Sequence, residues 1–371
     1  MNQTTWTTSL LVSAAMLVAA CSGGDDAGAG TTAVSTTIGA AAATTTVPAT
    51  TTTTSSTTTT SVVVIPTTIP DVTRMPLTGD PVEDESAIPD RPALVVKMSN
   101  FPSSVLPQAG LNSADIVFHE VINDNATRLA AVFHSQGSDP VGPIRSGRAQ
   151  DINLMLSLNR PLFAWSGGNP AVTRAIEASD LIDLSFQRTS GYYRRSSRNG
   201  PNDLYSSTEV LWGHTPDGAQ GPPQLFAYLR EGEALTGSPA TDITIQLDLT
   251  TSRWRYDADT NGYYRSQNGS AHNTETSADV EQVWTRNVVV MMADYGINTF
   301  DGNPDAQVLG SNPVFIFTGG TVRTGIWLRF APTDVFSLFD NVEDLNQLGL
   351  QPGRTWVEIP RNREGVLDWS E

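Results

Sequence analysis

Gly142-Pro143-Ile144-Arg145-Ser146-Gly147-Arg148 sets two arginines three residues apart in a loop stiffened by glycine and proline, and Trp165-Ser166-Gly167-Gly168-Asn169-Pro170 follows closely. A guanidinium is planar, always charged and presents its donors as a fixed fork, so two at this spacing suit one phosphate or carboxylate. The second stretch reads as a strand end, a glycine turn and a helix start, with Asn169 as N-cap and Pro170 at the first helical position. Backbone N–H groups at such a turn can meet an anion. With Arg128 upstream, the candidate ligand-binding set is therefore Arg128, Arg145, Ser146, Arg148, Ser166, Gly167, Gly168 and Asn169. Tyr192-Tyr193-Arg194-Arg195 places cations beside stacking surfaces, and Arg194 joins the set. The competing reading is structural, because arginines in an acidic chain commonly pair with neighbouring carboxylates.

Signals for catalysis are thin. His119, His134, His214 and His272 share no metal-binding spacing, and the chain has one cysteine, so no metal site and no cofactor are expected. No nucleophile elbow, phosphate loop or dinucleotide fingerprint occurs. His119-Glu120 at a strand end would put one polar group on each face of a sheet, which is more often a satisfied strand end than a catalytic dyad.

Several elements must position these residues. Ala93 to Met98, Ala114 to Ile122, Arg128 to His134 and Pro161 to Trp165 read as strands rich in Val, Ile, Leu and Phe. Ala149 to Leu158 and Ala171 to Ala178 carry helical spacing. Glycines and prolines from Gly213 to Pro239 mark a boundary, with only a short helical turn at Phe226 to Arg230. Beyond it, Asp242 to Asp248, Trp254 to Tyr256, Tyr263 to Arg265, Asn287 to Met292, Val314 to Phe317, Thr324 to Phe330 and finally Arg354 to Ile359 read as strands. The fold class is α+β: an N-terminal mixed-sheet α/β domain over 91–235, then a mainly antiparallel β domain or layer over 236–371.

Composition sets the surroundings. Of the 371 residues, 39 are acidic and 22 basic, a net charge of −17 that argues against nucleic acid as a partner. Lys97 is the sole lysine. Residues 1–21 read as a lipoprotein signal peptide: the apolar run Leu10 to Ala20 is too short to span a bilayer, and small residues precede Cys21, the diacylglycerol attachment point. Residues 22–70 read as a disordered tether, with threonine at 18 of the 40 positions from Thr31 to Pro70 and no charge between Asp26 and Asp71. Its reach as a flexible coil is on the order of 40 Å. Residues 71–90 form a linker. The expected location is the cell membrane, lipid-anchored on the extracytoplasmic face, with the anchor as the only membrane contact.

From roughly Arg91 to Pro360 the chain resembles the YerB-like bacterial lipoproteins, built on the domain of unknown function numbered 3048. Pro107-Gln108-Ala109-Gly110-Leu111 matches the family's PQSGL, Ala114-Asp115-Ile116-Val117 its ADIV, Thr127-Arg128 its TR, Gly142 to Arg148 its GPVRSAR, and Trp165 to Gly168 its strand-end GG. Asn287-Val288-Val289-Val290, Gly325-Ile326-Trp327 and Pro352-Gly353-Arg354-Thr355-Trp356 fit its C-terminal module. The resemblance implies fold and envelope location, and no established activity. Ser99, Asn123 and Asn202 stand at three places where the family pattern has ionisable groups or an acid–glycine run, while both loop arginines remain. That pattern suits recognition without proton transfer, and it suits drift at surface loops equally. Three functions stay open: a protein binding an anionic cell-wall or glycan-derived ligand, a cell-wall hydrolase or transferase using the same arginines, and a non-catalytic interaction scaffold.

Overall fold

A computed structural model describes residues 72–371; Cys21, the signal and the threonine tract lie outside the described residues. In chain order the elements that matter are β1 (Leu94–Ser99), β2 (Ile116–Val121), β3 (Thr127–Phe133), α1 (Gln150–Met155), β4 (Leu162–Trp165), α2 (Pro170–Glu177) and β5 (Ile182–Ser185). The second half supplies β6 (Asp242–Leu247), β7 (Thr250–Asp257), β8 (Gly262–Gln267), β9 (Asn287–Met291), β10 (Gly310–Thr318), β11 (Thr321–Arg329), β12 (Ser337–Phe339), β13 (Thr355–Ile359) and β14 (Leu367–Ser370).

The strands of the first half are apolar at nearly every position because both of their faces are covered. α2 forms where Val172 and Ile176, four residues apart, give one buried stripe, and Asn169 caps it by accepting the Ala171 N–H at 2.8 Å. Helical spacing at Ala149 to Leu158 yields α1 and then a tighter turn at Leu156–Leu158. The Gly319-Gly320 pair adopts positive φ and closes the β10–β11 hairpin.

One large mixed sheet runs β12-β11-β10-β9-β13-β2-β3-β1-β4-β5. β4 lies parallel to β1 and β5, β3 is antiparallel to β1 and β2, and β13 lies parallel to both β2 and β9. The two sequence modules therefore share one sheet, joined at β2–β13. An antiparallel sheet of β8, β7, β6 and β14 covers one face, where Val96, Val117, Ala131 and Val290 meet Ile243, Ile245 and Trp254. The other face carries Val95, Phe118, Ala130, Phe163 and Trp165 beneath α1 and α2.

Three expectations need correction. Residues 71–90 do not act as a plain linker, because Leu77 is buried in the core and its carbonyl accepts from Tyr228 at 2.7 Å. Phe226 to Arg230 forms no helical turn; Leu225 and Phe226 are pulled into the core, and the chain bridges Leu350 instead. The chain continues past Ile359 into β14, whose Leu367 to Ser370 pairs with β6 although its outward positions are polar or exposed.

Candidate functional site

Register sets the site. Ser99 on β1 and Glu120 on β2 both lie opposite Arg128 on β3, and Lys97 lies opposite Ala130. Side chains alternate between faces, so Lys97, Glu120 and Arg128 project to the α1 side and His119 to the other. The split of His119 and Glu120 between the two faces is as their adjacency predicts.

Lys97 is fully buried, and its ammonium bonds Glu120 and, at 2.5 Å, Asp151 on α1. A buried ammonium is tolerable only when paired, and here two carboxylates hold it. Asp151 reaches further: its second oxygen accepts the backbone N–H of Arg148 at 2.7 Å, tying the lysine to the arginine loop. Burial raises the Glu120 carboxyl to about 7, with Lys97 opposing the shift and Asp151 adding to it.

Above this buried triad stand the three arginines. Arg128 is buried and donates to the Ser146 carbonyl at 2.5 Å. Arg148 donates to Asn123 Oδ1 at 2.6 Å and to the Gly147 carbonyl at 3.0 Å. Arg145 is half-buried; its backbone is fixed by Lys97 O at 2.8 Å and Ser166 N at 2.9 Å. Its guanidinium has no hydrogen-bond acceptor among the described residues, and Nε of both Arg145 and Arg148 is buried without a partner. None of the three forms an ion pair among the described residues. Burial lowers the basicity of all three, that of Arg128 furthest. Repulsion from Arg148 and Arg145 adds to the effect on Arg128, whereas Asp151 and Glu120 oppose it on Arg148.

The glycine turn meets this loop. Ser166 bonds Arg145 as above, Gly167 sits at φ +75° beside Ser146, and Gly168 and Asn169 are exposed ahead of α2. Gly147 makes the approach close: a Cβ there would stand 2.7 Å from Ile176 Cδ1 and 3.1 Å from Trp165. The sequence candidates from Arg128 to Asn169 are thus brought together. Arg194 makes no hydrogen bond or ion pair with them among the described residues; it pairs with Asp203 at 2.6 Å and lies 5.3 Å over Phe186. Arg195 and Arg198 likewise pair with Glu275. Of the three departures from the family pattern, Ser99 faces Arg128 and Asn123 bonds Arg148. Asn202 lies in the turn before Leu204, whose carbonyl accepts the Ile144 N–H at 2.7 Å.

Lys97 and Asp151 escaped sequence reasoning. The available signal was a lone lysine inside the apolar run Ala93 to Met98, where an unpaired charge would not be tolerated.

A second polar network fills the opposite face, and it joins the two modules. His119 Nδ1 meets Glu358 at 2.5 Å, and Glu358 also accepts from Trp254 Nε1 at 3.0 Å. His272 meets Gln108 at 2.7 Å, and Gln108 donates to Asn100 at 3.0 Å. Burial would raise the Glu358 carboxyl, but His119 and Arg265 hold it at about 2. Every one of these side chains is sealed from solvent, so the network is cohesive and cannot reach a ligand.

Comparison with known proteins follows the same two modules. Residues 77–219 match Protein of unknown function (DUF3048) N-terminal domain, and residues 243–357 match the DUF3048 C-terminal domain. A protein of Bacillus subtilis (strain 168) named as a lipoprotein, YerB, is 26% identical over 309 residues, covering 78% of this chain and 88% of that one. The crystal structure of YerB from Bacillus subtilis aligns with a TM-score of 0.68 at 21% identity, over 81% of this chain and 100% of the other, a likeness of fold. No helix among the described residues is long and apolar enough to cross a membrane.

Proposed function

We propose that this chain, which belongs to the DUF3048 family and carries both of its domains, is an envelope lipoprotein that holds an anionic cell-wall or glycan-derived ligand on Arg145 and Arg148. A relative named as a lipoprotein implies membrane anchoring in the envelope, and the Val18-Ala19-Ala20-Cys21 pattern adds acylation on the extracytoplasmic face. The observation that carries the ligand is Arg145, whose backbone is held by Lys97 and Ser166 and whose guanidinium has no acceptor among the described residues. Arg145 is part-exposed, so its guanidinium donors are open to water or to an anion that displaces it. Recognition is favoured over proton transfer because Glu120 and Asp151, the carboxylates that act most strongly on Arg148, are sealed and engaged by Lys97.

The test is calorimetric titration of the unit 68–371, compact by itself, with inorganic phosphate, peptidoglycan fragments and acidic glycans. Charged hydrogen bonds contribute about 1.5–3 kcal/mol each, so Arg145→Ala is expected to weaken binding roughly 10- to 100-fold with little change in melting temperature. Binding of an anionic probe as tightly by Arg145→Ala as by the wild type would sink the assignment.

A further inference from the structure

Lys97 is the one lysine of the chain, and it is sealed beneath the arginine loop. Every other strongly basic residue is arginine, and a guanidinium pairs with carboxylates at least as well as an ammonium does. What a guanidinium cannot do is lose its proton and attack, whereas a desolvated lysine amine is a nucleophile. The reactants for such an attack stand together. Ala130 lies opposite Lys97 on β3, and its small side chain lets the lysine pass over that strand to Glu120 on β2. Nζ also lies 2.5 Å from Asp151 Oδ1, and the other oxygen of that carboxyl accepts the Arg148 backbone N–H at 2.7 Å. Glu120 is placed differently: one oxygen bonds Nζ, and the other is buried with no hydrogen-bond partner among the described residues. Burial raises its carboxyl to about 7, where it both takes up and gives back a proton at neutral pH.

We infer that Lys97 and Asp151 condense after folding into an amide that joins β1 covalently to α1, with Glu120 as the proton carrier. The ion pair is the reactant state, and it sets the stability of the chain until the bond forms. One ammonium proton passes to Asp151 Oδ1, and the freed electron pair on Nζ attacks Cγ. Negative charge gathers on Oδ2, where the Arg148 N–H meets it. Glu120 then moves a second proton from the nitrogen to Oδ1, the Cγ–Oδ1 bond breaks, and water leaves with Glu120 regenerated. Nothing is oxidised or reduced, and water is the sole by-product. An amine and an unactivated carboxyl react here because fixed neighbours act at effective concentrations on the order of 10⁵–10⁸ M, and a site closed to water favours its loss over its return. The link does not depend on what the arginines bind. Because Asp151 also holds the Arg148 backbone, it would fix the base of the arginine loop to the sheet.

The experiment is intact-mass spectrometry of the purified 68–371 unit, held at neutral pH for several days and then denatured. The mass is expected to fall below the sequence mass by one water, and peptide mapping should find the segment bearing Lys97 joined to the segment bearing Asp151. Because the chain has one lysine, an amine-reactive label on the denatured unit gives a second reading. The linked unit takes a single label, at its N-terminus, and the unlinked unit takes two. Glu120→Gln keeps the Lys97–Asp151 pair but removes the proton carrier, so it should keep the full mass and take two labels. Lys97→Arg, which keeps the charge and cannot form the amide, should also keep the full mass. A wild-type unit of full mass that takes two labels overturns the proposal, whether or not either variant folds. So does a water lost elsewhere, as in a succinimide at an aspartate, which leaves two labels, and so does a link that maps to Glu120. If Glu120→Gln still loses water and takes one label, the role given to Glu120 is overturned.

Discussion

Replacing Lys97 with Met removes the ammonium that neutralises Glu120 and Asp151, and it does so where all three groups are fully buried. Met keeps most of the volume, so the change is electrical rather than a cavity. Breaking one partner out of a buried ionic group costs about 3–5 kcal/mol, which for a unit of this size lowers the melting temperature by roughly 5–15 °C. The pH dependence separates this from a packing defect. Glu120 in the wild type is raised to about 7, so its contribution is fully present below its unfolded value near 4.5 and is lost as pH rises through 7. Without Lys97 the carboxyl climbs further, and the loss continues above pH 7 where the wild type has levelled off. The gap between the proteins should therefore be about half as large or less at pH 5 as at pH 8. Denaturant unfolding at the two pH values measures it, and adding Glu120→Gln and Asp151→Asn to the Lys97→Met background should restore most of the stability. A gap of equal size at both pH values, or no gap at pH 8, would refute the charge argument.

Glu358→Gln should destabilise the fold by roughly 3 kcal/mol at pH 7, since a carboxyl held at about 2 contributes above its unfolded value of 4.5 and loses that contribution as pH falls through 2. Urea titrations should show the difference from wild type shrinking between pH 4.5 and pH 2.5; a constant difference would mean that shape, not charge, is responsible. Gly147→Ala forces a methyl against Ile176 and Trp165, and calorimetry should record a loss of about 1–3 kcal/mol together with weaker anion binding. Cys21→Ser should leave an unlipidated precursor outside the membrane fraction, measured by fractionation and intact mass.

Local features of the fold were legible where the chain alone decides them. β1 to β4 follow from short apolar runs, and the α2 start follows from Asn169 and Pro170, because capping and burial act over a few residues. Long-range pairing was not legible: nothing local to Thr355–Ile359 says that it inserts beside β2 rather than closing a separate domain. Leu77 and β14 were missed for the same reason, as each is ordered by a distant partner, Tyr228 in one case and β6 in the other. The site divides likewise. Arg145 and Arg148 announced themselves by spacing within one loop, whereas the Lys97–Glu120–Asp151 triad exists only once two strands and a helix converge. Arg194 looked equivalent to the others in sequence and differs only because Asp203 faces it across a hairpin.

The parallel pairing of β2 with β13 also orders events in time. His119 and Glu358 are 239 positions apart, so while the chain emerges N-terminus first, β2 waits with one edge open until nearly the whole polypeptide has appeared. Glu120, which helps anchor the arginine loop through Lys97, sits on that waiting strand. An N-terminal half released alone would expose the edge of a mostly apolar strand, the kind of surface that pairs with other copies. The Lys97–Glu120–Asp151 cluster beneath the arginine loop is thus enclosed late. Truncation between Val121 and Thr355 should yield an insoluble product rather than a smaller folded unit, and a folding rate set by that distant closure should be slow for the size of the unit.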